Sequence, residues 1–161
     1  CVGCAVAALW SRRYGQQMRA VDQAASMEGS SSGCVRSRGR PVLEGAASVA
    51  IRAGRPGDQS GKLYRAMPEA FEAAGHGASL AEVKAGLKAH RLAGAVVSYG
   101  QVTAGVIGIA APVFDGRPEV IGSLSLTVAD TPAARERLDP IVAQATFAAR
   151  GVNLSRVHAD R

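Results

Sequence analysis

Aromatic side chains are scarce in this 161-residue chain: one Trp, three Tyr and three Phe, 4% in all. Rings therefore cannot fill its core. Ala, Gly, Val, Ile and Leu must do so, and small residues decide where backbones approach closely. Cysteine is as rare. Cys1, Cys4 and Cys34 form an odd set without framework spacing, which argues against a disulfide scaffold and for a reducing, cytoplasmic setting. Cys1-Val2-Gly3-Cys4 has redox or metal spacing, but a structural zinc needs four ligands. Only Cys34 and three scattered histidines, His76, His90 and His158, remain to supply them. Neither a metal nor a cofactor is expected. No apolar run nears the ~20 residues of a membrane span. The opening CVGCAVAALW has no basic region before it, so a signal peptide is not expected either.

Acidic residues are short in one half only. Residues 1–65 hold ten Lys/Arg against four Asp/Glu, and residues 66–161 hold nine of each, so the net charge of +6 belongs to the front of the chain. That front is also rich in Ser and Gly, the composition of a solvated arm. A length of 161 residues is enough for one domain with a real core.

The most informative stretch is Thr103–Val128, TAGVIGIAAPVFDGRPEVIGSLSLTV. Two apolar, β-branched, alternating segments flank Asp115, Gly116, Arg117 and Pro118, residues suited to a turn. With Phe114 and Glu119 flanking that turn, antiparallel pairing sets Ala110 opposite Ser123, Gly108 opposite Ser125 and Val106 opposite Thr127. Ile107, Ile109, Ala111 and Val113 then share the other face with Leu126, Leu124, Gly122 and Val120. One face is bulky and wholly apolar, as a core-facing surface should be. The other is small, uncharged and carries three hydroxyls, and it reads as the floor of a cavity.

Around this hairpin the pattern predicts a helix within residues 1–27, a loop at Gly29–Gly33 and a basic stretch at Arg36–Pro41. A short strand is expected at Ala46–Ala53, ending in a turn at Gly54–Asp58. Helices are expected over Pro68–Ala74, closed by Gly75, and from Ser79 to about His90, where Ser79 and Glu82 have capping-box spacing. Ala95–Tyr99 reads as a strand. Asp139-Pro140 begins a helix, with Asp139 as N-cap, that ends near Gly151.

Two apparent catalytic signals fail. Gly57-Asp58-Gln59-Ser60-Gly61-Lys62-Leu63 looks like a phosphate loop, but Pro56 occupies the first glycine's position and Leu63 replaces the metal-binding hydroxyl. Ser123 and Ser125 lie in a strand, without the strand-turn-helix elbow of a nucleophilic serine and with no base placed near them. No catalytic residue, and no enzyme, is expected.

Gln101–Asp115 (QVTAGVIGIAAPVFD) followed by Val120–Val128 (VIGSLSLTV) resembles the C-terminal effector-binding domain of IclR-type transcription regulators. The resemblance runs from Val42 to Asn153 and is strongest over 95–153. Glu44–Asp58 is similar to a strand and turn of that family, and Gly61-Lys62 to a helix start. The family's winged helix-turn-helix is not among these residues. The resemblance implies an α+β, GAF-like fold: a curved antiparallel sheet with helices on one face and a ligand pocket on the other. It divides the chain into a basic segment (1–40), an effector-binding domain (41–155) and a tail (156–161). It also implies a small organic acid as effector, a homo-dimer or tetramer, and DNA contact only through a linked winged-helix domain. Carried over by position, the two hydroxyls of the second strand fall on Ser125 and Thr127, a first-strand pocket position on Gly108, and an upstream polar position on Ser98. Ile109 and Ala110, beside Gly108, complete the candidate contacts. Gly108 leaves room for a larger ligand, and Ser98 lacks the charge that position can carry, so the effector is not fixed by the resemblance. A ligand-free dimerisation or scaffold module is the alternative reading.

Overall fold

The computed structural model describes residues 5–14, 17–25, 40–41, 43–114 and 118–159, with side chains over 11–12, 43–114 and 118–152. Two strands come first, β1 (Ala5–Tyr14) and β2 (Gln17–Ala25), followed by the two-residue β3 (Arg40–Pro41). Helices α1 (Gly45–Ala53), α2 (Gly57–Ala66), α3 (Pro68–Ala73) and α4 (Leu80–Ala93) precede β4 (Val96–Tyr99), β5 (Val106–Phe114) and β6 (Val120–Ala129). A short α5 (Pro132–Glu136) and the long α6 (Leu138–Ala159) close the chain. The architecture is α+β. Among the described residues the strands form one antiparallel sheet in the order β3-β2-β1-β6-β5-β4.

Two expectations are overturned. The helix expected within residues 1–27 is instead the strand pair β1–β2. Its apolar stripe is too thin to bury a helix, whereas β1 gains a full partner in β6, with Leu9 opposite Ser125 and Ser11 opposite Ser123. The sheet therefore continues across the boundary expected at residues 40–41. The strand expected at Ala46–Ala53 is α1. Val49 and Ile51 favour a strand locally, but Ala46, Val49, Ala50 and Ala53 recur at helical spacing, and tertiary burial overrides local β preference. The turn that was to follow is in part the start of α2, so the apparent phosphate loop is a helix. The expectations for Cys1–Cys4, Gly29–Gly33, Arg36–Gly39 and the turn residues 115–117 fall outside the described residues.

The hairpin is present with its register moved by two and, except for Val120 beside the turn, its faces as expected. Gly108 pairs with Thr127, Ala110 with Ser125 and Ala111 with Leu124. A bulge lies between Val113 and Phe114, which pair with Gly122 and Val120. That bulge takes up one extra residue and the connection takes up another. Up to Val113 and from Gly122 onward the shift is even and side chains keep their faces, whereas past the bulge it is odd, so Val120 crosses to the α1 side and Ile121 to the α6 side.

Helix α6 covers the bulky face. Ile107, Ile109 and Val128 pack with Ile141 and Ala145, while Ala111 and Val113 pack with Ala149. It starts one residue before Asp139 and continues past Gly151. The opposite face receives α1: Ala46, Val49, Ala50 and Ala53 form one cluster with Val96, Ala110 and Val120, backed by Leu63, Phe71, Val83 and Leu87. The α4 cap is as expected, with Glu82 N–H donating to Ser79 Oγ at 3.2 Å and Ala78 N–H to the Glu82 carboxylate at 2.9 Å. From the far end of α4, Arg91 donates to the carbonyls of Ala53 (2.7 Å) and Arg55 (2.9 Å), tying down the end of α1. No helix among the described residues is long and apolar enough to cross a membrane.

Candidate functional site

Cross-strand register assembles the small face in rows. Ser98, Gly108 and Thr127 line up across β4, β5 and β6. The next row is Val96, Ala110 and Ser125, and the third is Pro112, Ser123 and Ser11 of β1. Directly opposed residues of antiparallel strands share a face, so five hydroxyls belong to this surface. Ser11, Ser98, Ser123 and Ser125 are buried and Thr127 is half-buried.

The candidate residues do not all meet. Ser98 and Gly108 touch: a Cβ built on Gly108 would lie 2.9 Å from Ser98 Oγ and 3.7 Å from the Ala46 Cβ. The tight contact is with Ser98, and Ala46 of α1 would lie at ordinary contact distance, so glycine here makes room for the Ser98 hydroxyl. Ser98 Oγ donates to the Gly108 carbonyl over a long 3.5 Å. Ala110 is sealed under α1. Ile109 points to the opposite face, into the α6 core. The surface left beyond α1 is that of β6 and β1, with Ser123, Ser125, Thr127 and Ser11.

Ser123 is the outlier. It is fully buried, and its Oγ has no hydrogen-bond partner among the described residues. A buried hydroxyl without a partner is costly and marks a place where an acceptor or donor belongs. Alternation on β6 puts Ser123 on the hydroxyl face, yet it was outside the candidate set. Ser11 was missed because β1 was read as helix.

A second polar centre lies in α1 itself. Eight of its nine residues are buried, and Arg52 among them is only 3% exposed. Its Nη2 lies 3.0 Å from His76 Nε2, its guanidinium carbon 5.2 Å from the centre of the Phe71 ring, and its Nε and Nη1 have no partner among the described residues. Burial alone pulls the Arg52 pKa down from its ordinary value to about 10. His76 is held below 6.5 first by burial and then by Arg52, with its contact to the Leu43 carbonyl pulling the other way. His90 is lowered by burial and by Arg52 as well. Composition and periodicity give no sign of this centre, since a cation inside a helix buried on every side runs against both. Among the described residues no group of three or more His, Cys, Asp or Glu can hold a metal.

No protein-family model and no curated protein matches this sequence. Solved structures do. The C-terminal domain of a protein from Vibrio cholerae, described as a transcriptional regulator, superposes with a TM-score of 0.76 at 26% identity, covering 90% of this chain and 84% of that one. The fold is thus one found in regulatory domains of transcription factors. More particularly, it is the fold of C-terminal domains of IclR-family regulators. An IclR-family protein from a Rhodococcus species matches at TM-score 0.73 and 19% identity over 92% of this chain and 56% of its own. The Agobacterium tumefaciens repressor BlcR matches at 0.72 and 13% over 91% of this chain and 58% of its own. This coverage exceeds the stretch from Val42 to Asn153, so the structural likeness takes in residues outside it.

Proposed function

We propose that this chain is the effector-sensing domain of a bacterial-type transcription regulator. It binds a small organic acid on the hydroxyl face of the sheet and passes the binding signal to linked DNA-binding domains. The observation that carries this reading is the buried, uncharged hydroxyl field of β6 and β1, with the Ser123 hydroxyl awaiting a partner. Hydroxyls and backbone N–H groups suit carboxylate oxygens, and apolar neighbours suit the organic part. The likeness to regulator domains, one of them a repressor by name, supports the setting. Of the positions first considered, Ser98, Gly108, Ser125 and Thr127 are retained as contacts. Ile109 and Ala110 would contribute main-chain groups only.

The domain regulates by differential binding. An effector held better in one quaternary arrangement of a homo-dimer or tetramer than in another shifts that equilibrium, and with it the grip of winged-helix domains on DNA. No residue is given a catalytic role, and the domain works in the cytoplasm. The test is a thermal-shift panel of small aliphatic and aromatic carboxylic acids, followed by calorimetry on those that stabilise. At least one class should raise the melting temperature saturably. A stable dimer that no acid in the panel stabilises would replace this reading with a ligand-free dimerisation module.

A further inference from the structure

We propose that Arg52 is the centre of a second, interior anion site between α1 and α3, and that it takes a small carboxylate or another monoanion of that size. The proposal is independent of the ligand reading of the sheet face. Ala46, Ala50 and Ala53 turn toward the sheet, whereas Arg52 leaves α1 on another flank, toward Phe71 and His76.

The argument starts from charge. A guanidinium keeps its proton at neutral pH, and a buried charge is tolerated when it is paired. Among the described residues Arg52 has no such pair: no carboxylate contributes to its titration, and two of its three guanidinium nitrogens lack an acceptor. The Phe71 ring offers its face to the cation, but a ring face supplies no in-plane acceptor for these N–H groups.

His76 does not complete the site. Its Nε2 faces both Arg52 Nη2 and the Leu43 carbonyl oxygen. A neutral imidazole nitrogen carries either a lone pair or a proton. With a lone pair, Nε2 accepts from Arg52 and gives nothing to Leu43. With a proton, it donates to Leu43 and leaves Arg52 without any acceptor. Protonating the ring would satisfy Leu43 but set a second cation beside the first. His90, on α4, is close enough to feel the same charge and adds no negative group. One anion resolves the conflict, because it supplies acceptors and a countercharge to Arg52 and frees His76 to donate to Leu43. Water would supply acceptors but leave the charge unpaired. Leu43, whose carbonyl faces His76, also borders a cavity of about 560 Å³ with Glu44, Ala70, Ala73, Ala74 and Gln101.

Acetate is the probe, titrated into the full chain at constant ionic strength against chloride. Acetate should raise the melting temperature saturably. Arg52→Met should weaken the acetate dissociation constant by roughly tenfold to a hundredfold, the loss of one or two charge-assisted hydrogen bonds. Lys84→Met, which removes an exposed positive charge, should leave the response intact. Should Arg52→Met fail to fold, the unmutated protein still decides the matter. The Nε–H resonance of Arg52 should move along a saturable curve with acetate. A resonance that does not move, or an equal acetate response in wild type and Arg52→Met, overturns the site and leaves Arg52 hydrated.

Discussion

Ile107, Ile109, Val113 and Val128, on one face of the sheet, are fully buried and pack with apolar side chains of α6. On the other face, α1 meets Gly108, Ala110 and buried serines as well as Val96 and Val120. Every buried polar or charged side chain among the described residues, from Ser11 and Ser98 to Arg52 and Ser60, lies on the α1 side. An apolar face can be packed to completion by one helix. A face with buried hydroxyls, roofed by a helix that carries a cation, is complete only when each polar atom finds a partner. The orphaned Ser123 hydroxyl and Arg52 nitrogens both belong to that second side. Both sides bury an apolar cluster, and on the proposed reading only the α1 side also has polar atoms for a ligand to meet.

The largest effect that would sharpen this contrast is a truncation on the α6 side. Ile109→Ala should cost about 2–5 kcal/mol, as cavity-forming substitutions in a rigid core do, read by urea denaturation. The affinity of the folded fraction for its effector should barely change. A large loss of affinity at preserved stability would erase the division. On the α1 side, Gly108→Val drives a branched side chain against Ser98 and Ala46. It should cost about 1–3 kcal/mol by overpacking and should also impair effector binding. A variant as stable as wild type would mean that α1 is free to shift.

Smaller and more telling are the hydroxyl variants. Ser123→Ala should stabilise the ligand-free protein, by about 1 kcal/mol or more, because it removes a buried group without a partner. Effector affinity should fall in the same variant, so two measurements on one protein should move in opposite senses. Ser125→Ala should weaken effector binding by about 1 kcal/mol, the worth of one hydrogen bond. Unchanged calorimetric affinity would remove Ser125 from the contacts.

Last comes pH. The folded-state pKa values of His76 and His90 lie below 6.5. Below about that pH the unfolded chain therefore binds more protons than the folded one. Stability should fall as pH drops through 6.5 and should not respond to these groups above it. Because Arg52 contributes to both shifts, Arg52→Met should make the slope shallower. A slope untouched by that variant would disconnect the histidines from the cation.

The hairpin was open to sequence reading because its information is local: alternation assigns Ile107 and Gly108 to opposite faces whatever the register. Its register was not, since the bulge at Val113 and Phe114 leaves no mark in the alternation. The Ser79–Glu82 cap was equally local. By contrast, β1 is a strand because Leu9 has Ser125 opposite it, a reason that lies at the other end of the chain. Helix α1 is a helix because it is buried on every side, so Val49 and Ile51 obey packing and not their own preference. The same gap divides the site. Alternation put Gly108, Ser125 and Thr127 on one face, and the family resemblance made them and Ser98 candidates, while Ser11 and Arg52 required the assembled fold.

The strand order β3-β2-β1-β6-β5-β4 also sets a timetable. Strands made first must wait for one of the last, because β1 finds its second partner only in β6. During synthesis β1 and β2 leave the ribosome as a two-stranded ribbon, marginal on its own. Their permanent place in the sheet opens only once β6 has been made, and closing so long a loop is slow. Until then the ribbon presents an unpaired edge to other chains, the circumstance in which aggregation competes with folding. Pulse-labelled hydrogen exchange during refolding should show β1 amides protected no earlier than those of β6, and protection of β1 ahead of β6 would reverse that order.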